Sequence, residues 1–259
     1  MPIFQLVDFF FPALYPDDME RNVSSRAIVV HSQKQSQMNR RLTLLSVDFG
    51  LIEAISYGSA KSMRAPKANV FANATVYLYY NPVRDHYTLK DVAIIESNEH
   101  LRSEITLTYR GLFMAELIMK THGGESELEY ELLSQGLRLL QSGIADRVLI
   151  QFVLRLARIL GVHADYEACP VCSRKYRDDE TLRFTTDLLS PCCSECGSAD
   201  LSLPPGARRY VKLTSTLEYG ESLNVPLSET ATARIKGYAL SYAKLLAQGP
   251  LKTLQSGLL

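Results

Sequence analysis

Four cysteines in two pairs are the residues of this sequence best suited to chemistry. Cys169 and Cys172 form one CxxC pair, and Cys193 and Cys196 form a second pair after twenty intervening residues. Two such pairs around a short ribbon are typical of a site that holds one zinc ion. Zinc prefers thiolates in tetrahedral geometry, and four protein ligands leave no position open for a substrate. We therefore expect a structural zinc ion, and a zinc hydrolase with an open metal position is the alternative.

Three residues beside these pairs leave alternatives open. Cys192 adjoins Cys193, but only Cys193 has the two-residue spacing to Cys196, so we assign Cys193 as the ligand. His163 lies six residues before the first pair and could replace a thiolate, although a solvated histidine at a helix end is the simpler interpretation. Gly197 follows the second pair, where a positive φ is expected. The remaining alternative is a set of ordinary buried or disulfide-bonded cysteines.

The sequence contains no recognisable catalytic set, so we expect neither an enzyme nor a small-molecule substrate. It lacks a GxSxG elbow, a GxxxxGK[ST] loop and a GxGxxG motif, and its five histidines show no HExxH spacing. The 28 basic residues balance the 28 acidic ones, so a nucleic-acid function has to come from local asymmetry. Clustered cysteines favour a reducing cytoplasm, and the N-terminal apolar segment is too short to span a membrane.

Apolar and polar residues alternate between Arg26 and Glu96 as they do in short strands. Turn residues divide this stretch into five predicted strands. Five short strands indicate a small closed barrel, and an OB-like barrel is the commonest such fold. An SH3-like barrel is the alternative that periodicity leaves open. Before the barrel, the aromatic cluster Phe9–Phe11 belongs either to an arm that docks on a neighbouring surface or to a disordered arm.

From His100 onward the apolar residues recur with the spacing of amphipathic helices. Ser126 and Glu129 form a capping-box pattern, and Asp146 is expected to cap the next helix, which ends at Gly161. Two more helices follow the cysteine ribbon, so the ribbon is an insertion. We therefore expect an α+β protein with a five-stranded OB-like barrel, followed by an α-helical domain with an inserted four-cysteine zinc ribbon. The expected parts are an extension at 1–24, the barrel at 25–97 and the helical domain at 98–259, with the insertion at 165–203.

Basic residues outnumber acidic ones in the barrel stretch by nine to five. Several fall in two predicted loops, and flexible basic loops beside a small barrel can follow a single strand by neutralising its phosphates. The candidate DNA-binding residues are Lys34, Arg40, Arg41, Lys61, Arg64 and Lys67. Aromatic residues of the same stretch could add stacking surfaces, although each one alone fits a core position better; they are Tyr57, Phe71, Tyr77, Tyr79 and Tyr80. A second basic patch consists of Arg208, Arg209 and Lys212, and by itself it is weak evidence for DNA binding.

The order of these parts resembles the bacterial recombination mediator family RecO. The most specific stretch is the apolar helix from Phe152 to Gly161, which runs into Cys169-Pro-Val-Cys172 and is similar to the family's leucine-rich helix and first zinc knuckle. The start of the barrel at Arg26, the turn at Gly50 and the basic loop from Lys61 to Lys67 are also similar. The chain departs from the family in its N-terminal arm and in its neutral net charge.

This resemblance covers residues 25–250 and implies a DNA-repair protein without catalytic chemistry. Such proteins bind single- and double-stranded DNA, anneal complementary strands and, with RecR, help to load RecA onto DNA coated by single-stranded-DNA-binding protein. Annealing needs no bond making, because a basic surface lowers the repulsion between two phosphate backbones. A nucleoid-associated, cytoplasmic location is expected. The competing hypothesis is a zinc-ribbon scaffold for protein interactions that does not bind DNA directly.

Overall fold

The structure is a computed structural model that describes residues 21–58, 68–121, 124–141, 143–185 and 190–259. The expected arm with Phe9–Phe11 and the basic loop from Lys61 to Lys67 lie outside the described residues. The described chain begins with a barrel and continues as a helical region that contains a small inserted sheet. None of its described helices combines the length and the apolar character that a membrane crossing needs.

Five strands close into the barrel, in the order β1-β2-β3-β5-β4. Neighbouring strands are antiparallel except β3 and β5, which pair in parallel. This arrangement confirms the expected OB-like barrel. The strands are β1 (Asn22–Lys34), β2 (Arg40–Ser46), β3 (Gly50–Ser56), β4 (Asn73–Asn81) and β5 (His86–Glu96).

Side chains alternate along the strands between two cores. Val29, Leu44 and Val76 fill the inside of the barrel. Ile28 and Leu45 point outward and join the core of the helices. The barrel wall is therefore buried on both faces where it meets the helical region, which explains why the middle of β1 is a continuous apolar run and does not alternate.

The helical region confirms the predicted change from strands to helices after the barrel. Its helices are α1 (Ile105–Thr121), α2 (Ser126–Leu139), α3 (Ala145–Ile159), α4 (Pro205–Thr214), α5 (Tyr219–Ser222), α6 (Glu229–Leu246) and α7 (Lys252–Gln255). Phe152 and Val153 of α3 are fully buried, because this helix packs against α2 and α6. As predicted, α3 is followed by Gly161, whose φ of 70° is the left-handed conformation that favours glycine.

The predicted caps of α2 and α3 are wrong. Ser126 is the first residue of α2, and the Glu129 carboxylate accepts a hydrogen bond from the backbone N–H of Gly124 at 3.2 Å. Asp146 lies inside the first turn of α3, where its Oδ1 accepts from Arg110 of α1 at 2.9 Å and from Lys236 of α6 at 3.0 Å. Burial would raise the pKa of Asp146, but these two cations hold it below its usual value. The carboxylate therefore joins three helices and does not cap one.

A three-stranded sheet lies between α3 and α4, which confirms that the cysteine ribbon is an insertion. Its strands are β6 (Leu182–Phe184), β7 (Pro191–Cys192) and β8 (Ala199–Leu203), in the antiparallel order β7-β6-β8. Phe184 anchors this sheet to the helices, because its ring lies 4.8 Å from the ring of Tyr238 on α6. The ribbon therefore has a fixed position relative to the helical core.

A buried contact joins the barrel to the helices. Phe71 precedes β4 and packs against α1, where a Cβ added at Gly111 would lie only 2.9 Å from the Phe71 ring. At the start of β4, Oδ1 of the Asn73 side chain accepts from the Tyr130 hydroxyl at 2.7 Å, and Nδ2 of the same side chain donates to the Ser134 hydroxyl at 3.2 Å. All three side chains of this hydrogen-bond chain belong to buried residues.

Candidate metal centre and nucleic-acid interface

The four predicted cysteines form one cluster in the structure. The Sγ atoms of Cys169, Cys172, Cys193 and Cys196 all lie within 4.8 Å of one another. Cys172 Sγ and Cys193 Sγ are 3.8 Å apart, whereas a disulfide needs about 2 Å. The cysteines are therefore free thiols that together could hold one metal ion.

Each pair lies in a tight turn closed by backbone hydrogen bonds. In the first turn, Ser173 donates to the carbonyl of Cys169 at 2.8 Å and adopts a φ of 61°. In the second turn, the N–H groups of Cys196 and Gly197 both donate to the carbonyl of Cys193 at 3.1 Å. Turns of this kind direct the two sulfur atoms of a CxxC pair toward the same point.

Backbone N–H groups prepare the first cysteine of each pair for the thiolate form. Burial would raise the pKa of the Cys169 thiol, but hydrogen bonds from the backbone of Cys193, Cys172 and Val171 lower it to about 6. Burial opposes ionisation of Cys193 as well, and hydrogen bonds from the thiol and backbone N–H of Cys196 lower its pKa. Because the thiolate is the form that binds metal, the donor set and its surroundings fit a metal ion such as zinc.

The expected positive φ at Gly197 is wrong, and a close approach requires this glycine instead. A Cβ at Gly197 would lie 2.2 Å from the Cβ of Arg183 on β6 and 3.1 Å from the Sγ of Cys192. Cys192 itself is fully buried on β7, and His163 is exposed. Among the described residues, neither of them belongs to the cluster of four thiols.

An ion pair between a buried carboxylate and a partly exposed arginine lies beside the cluster, and no spacing in the sequence marks it. Arg174 Nη2 is 2.6 Å from Glu180 Oε1, and Arg174 Nη1 is 3.0 Å from Glu180 Oε2. Hydrogen bonding from Arg174 is the main cause that lowers the pKa of Glu180 to about 2, although burial acts in the opposite direction. In the sequence, Glu180 ends a run of charged residues that is typical of a solvated loop.

The predicted DNA-binding residues within the described part of the chain meet at the end of the β1–β2 hairpin. Lys34 pairs directly with Arg40, and Arg41 pairs with Gln33. Directly paired residues project from the same face of a sheet, so Lys34 and Arg40 share one face and Arg41 lies on the other. All three cations are exposed. Arg41 also lies 3.4 Å from the Glu53 carboxylate in an exposed ion pair, which is worth little in water.

The neighbouring strand adds an aromatic ring to this end of the barrel. Ser56 of β3 pairs with Arg40, and Tyr57 follows it with 46% of its surface exposed. The backbone N–H of Gly58 donates to the Asn39 side chain at 3.2 Å, which ties the end of β3 to the hairpin. The other predicted cations, Lys61, Arg64 and Lys67, follow this point in the chain but lie outside the described residues.

The other predicted aromatic residues differ in exposure. Phe71 is only 2% exposed and belongs to the core between barrel and helices, which confirms the core position favoured for it and excludes a stacking role. Tyr80 donates to Asp85 at 2.7 Å and contacts the Tyr87 ring. Tyr77 is 45% exposed, and the Lys90 ammonium lies over the ring of the nearby Tyr79, which leaves these two rings on the outer face of the barrel.

One arginine of the second basic patch is committed to internal contacts, and a lysine of the patch forms an ion pair at the surface. Arg208 is buried and donates to the carbonyl oxygens of Arg177 and Asp178 at 2.7 and 3.2 Å. Lys212 lies 2.6 Å from the carboxylate of Glu167. Arg208 therefore fastens α4 to the cysteine ribbon, and this patch is a weaker candidate for binding DNA than the hairpin.

Comparison with known proteins places the chain in a family. A family model described as "Recombination protein O C terminal" matches residues 102–255, which is more than half of the 259 residues. "DNA repair protein RecO" of Desulfitobacterium hafniense is 28% identical over 193 residues, covering 71% of this chain and 67% of that protein. The protein of that name from Bacillus pumilus is 27% identical over 201 residues, covering 74% and 76% of the two chains. That of Caldicellulosiruptor bescii is 21% identical over 242 residues, covering 90% and 96%. With its family match and these long alignments, the chain belongs to the recombination protein O (RecO) family.

Proposed function

We propose that this chain is a DNA-binding recombination mediator that acts in DNA repair and is not an enzyme. It binds single- and double-stranded DNA, promotes the annealing of complementary strands and, with RecR, helps to load RecA onto DNA coated by single-stranded-DNA-binding protein. Membership of the RecO family supports this role, because relatives in that family are named DNA repair protein RecO. The observation that carries the DNA-binding part is the basic end of the β1–β2 hairpin.

Lys34 and Arg40 stand opposite each other on two paired strands. Like charges in this position destabilise a sheet by roughly 0.2–1 kcal/mol, so the pair is unfavourable for folding alone. A phosphate near both side chains turns this repulsion into attraction, and Tyr57 offers a ring on which a base can stack. Our proposed DNA-binding set combines the hairpin cations with those of the following loop: Lys34, Arg40, Arg41, Lys61, Arg64 and Lys67.

The test measures binding of a fluorescently labelled single-stranded oligonucleotide over a series of salt concentrations. Each phosphate contact to a single strand contributes about −0.7 to the slope of log K against log salt. Replacing Lys34 and Arg40 together by glutamate should reduce the slope by about 1.4 and weaken binding most at low salt. The matched control reverses the charge of two exposed cations of α6, Arg234 and Lys244, by the same replacement with glutamate. Equal affinity and slope for the hairpin variant and the wild type would exclude the hairpin as the DNA site.

The same titration separates the two classes of function. The alternative is a zinc-ribbon scaffold that binds proteins and not DNA. A wild-type chain that fails to bind the oligonucleotide even at low salt would favour this scaffold. If DNA binds, a strand-annealing assay with two complementary oligonucleotides then tests the mediator role. Pull-down with purified RecR and with single-stranded-DNA-binding protein tests the proposed partners. We further propose that the protein is cytoplasmic and associated with the nucleoid.

We propose that Cys169, Cys172, Cys193 and Cys196 hold one structural zinc ion. Zinc–sulfur bonds of about 2.3 Å in a tetrahedron place the sulfur atoms about 3.8 Å apart. The 3.8 Å separation of the Cys172 and Cys193 sulfurs supports this geometry. Four thiolates leave no open metal position, which argues against a zinc hydrolase. Elemental analysis should find one zinc ion per chain, and X-ray absorption should find four sulfur ligands; a bound water in place of a sulfur would reopen the hydrolase alternative.

We further propose that the chain consists of an extension, a barrel and a helical domain. The shared core around Ile28 and Leu45 predicts that barrel and helices unfold together, and Phe184 of the ribbon sheet belongs to the same core. Limited proteolysis with mass spectrometry tests these limits by locating the first cleavage sites. The proposed parts are residues 1–24, 25–97 and 98–259, with the zinc-binding insertion at 165–203.

A further inference from the structure

The buried carboxylate of Glu180 contacts both CxxC turns. Its side chain is only 4% exposed. Oε1 accepts from Arg174 Nη2 at 2.6 Å and from the backbone N–H of Ser194 at 3.4 Å. Arg174 lies two residues after the first CxxC pair, and Ser194 lies inside the second one. One carboxylate therefore connects two turns that are separated by twenty residues of chain.

Arg174 is itself fastened to the first turn. Its backbone carbonyl accepts a hydrogen bond from the N–H of Cys169 at 2.9 Å. Glu180 holds the guanidinium through two parallel hydrogen bonds, the geometry that gives arginine–carboxylate pairs their directional specificity. We call Arg174 and Glu180 together the clamp.

Glu180 does not itself have the capacity to bind the metal ion. A carboxylate offers about four lone-pair sites. Oε1 uses two of them for Arg174 and Ser194, and Oε2 uses two for Arg174 at 3.0 Å and the backbone N–H of Arg177 at 3.1 Å. All four sites are thus occupied by donors within the ribbon. This excludes Glu180 as a fifth ligand and as a general base, and leaves a positioning role.

We propose that the clamp holds the two CxxC turns at ligating distance and so sets the affinity and the release rate of the metal ion. The proposal rests on the zinc site proposed above. Without the clamp, fewer contacts hold the two turns together, so ion binding has to order the connecting chain to a greater extent. With the clamp in place, Cys193 already faces the thiols of the first turn. Residues that orient metal ligands from outside typically change metal affinity about 10- to 100-fold when they are replaced.

The test replaces Glu180 by glutamine, which keeps the shape, removes the charge and turns an amide NH₂ toward donors. Titration of the full chain with Co²⁺ reports binding through thiolate-to-cobalt absorption, and competition with Zn²⁺ gives the zinc affinity. We expect E180Q to bind both ions about 10- to 100-fold more weakly and to release zinc faster to a chelator. The matched control is Asp179→Asn, which removes the same charge from an exposed neighbour and should change affinity less than about twofold.

A second variant, Arg174→Lys, keeps the positive charge but loses the two parallel hydrogen bonds. It should weaken metal binding like E180Q, and the double variant should be no weaker than either single one, because both residues act as one unit. Absorption bands at saturating Co²⁺ should stay those of four thiolates, which shows that the ribbon still folds around the metal. Wild-type affinity in both single variants would overturn the clamp. A wild-type chain without thiolate–cobalt absorption would instead overturn the metal site.

Discussion

The hydrogen bond between Tyr130 and Asn73 predicts a measurable coupling between the barrel and the helices. The Tyr130 hydroxyl donates to the side-chain Oδ1 of Asn73 at 2.7 Å, and both residues are buried, with exposed fractions of 2% and 5%. Replacing Tyr130 by phenylalanine removes only the hydroxyl. The ring stays in place, so its packing and the Arg26 guanidinium 5.2 Å above it are retained. The change therefore isolates one polar contact across the interface.

The expected loss of unfolding free energy is about 1–3 kcal/mol. An ordinary hydrogen bond contributes about 1 kcal/mol, but a buried acceptor left without its donor adds its own desolvation penalty. Here the Asn73 oxygen loses the donor from Tyr130, while its amide nitrogen keeps the Ser134 hydroxyl at 3.2 Å. The asparagine cannot rotate to repair the loss without breaking this second bond. We therefore expect the upper half of the range.

Urea unfolding followed by circular dichroism and by tyrosine fluorescence measures this effect. Coincident curves from the two probes would show that barrel and helices unfold together. Tyr77→Phe is the matched control, because Tyr77 is 45% exposed and a surface change of this kind is worth about 0.5 kcal/mol or less. Adding Asn73→Ala to Tyr130→Phe should cost less than the sum of the two single changes, because the unpaired oxygen is then absent. A loss below about 0.5 kcal/mol for Tyr130→Phe would refute the reasoning.

Three further predictions concern the ribbon and the C-terminus. Gly197→Ala should weaken metal binding, because its Cβ would overlap Arg183 of β6 at 2.2 Å; unchanged zinc content after dialysis would contradict this. Removing the metal with a chelator should expose residues 173–185 to hydrogen exchange before the helices, and simultaneous loss of protection would contradict it. Burial would raise the pKa of Glu116, but hydrogen bonds hold it below the ordinary 4.5; its carboxylate accepts from the Thr253 hydroxyl at 2.6 Å and from the backbone N–H groups of Thr253 and Lys252 at 2.9 and 2.7 Å. Glu116→Gln should therefore lower stability by about 1–2 kcal/mol at pH 7, and this difference should shrink as the pH falls through the lowered pKa.

Local patterns in the sequence were sufficient for the strands, the main helices and the cysteine cluster. Alternation in a segment such as β2 places Leu42 and Leu44 on one face without any knowledge of the neighbouring strands. The CxxC spacing similarly places two sulfurs in one short turn. Such features depend on residues close in the chain, and their physical causes are visible in a short window.

Contacts between distant segments were not visible in the same way. Glu129 has the spacing of a capping box, but the chain folds back at Gly124 and the carboxylate accepts from that N–H instead. A core position for Phe71 could be predicted, but not that its ring packs on α1, where Gly111 leaves the space for it. Which hairpin cations share a face depends on an irregularity in the β1–β2 register between Val29 and His31. A shift of one residue exchanges the two faces of a strand, so this pairing requires the structure.

Three features of the structure are locally unfavourable, and they differ in which contacts offset their energetic cost. Phe71 has a φ of 74°, unfavourable for a large side chain, but the ring is packed in the core. The buried charge of Glu180 is offset by four hydrogen bonds. For the like-charged pair of Lys34 and Arg40, the described part of the chain provides no hydrogen bond or ion pair that offsets the repulsion. A local rule broken without internal compensation is more common at functional sites, and an anion bound beside two neighbouring cations would offset their repulsion. This difference is a further reason why we propose the hairpin, and not the ribbon, as the place where a phosphate backbone binds.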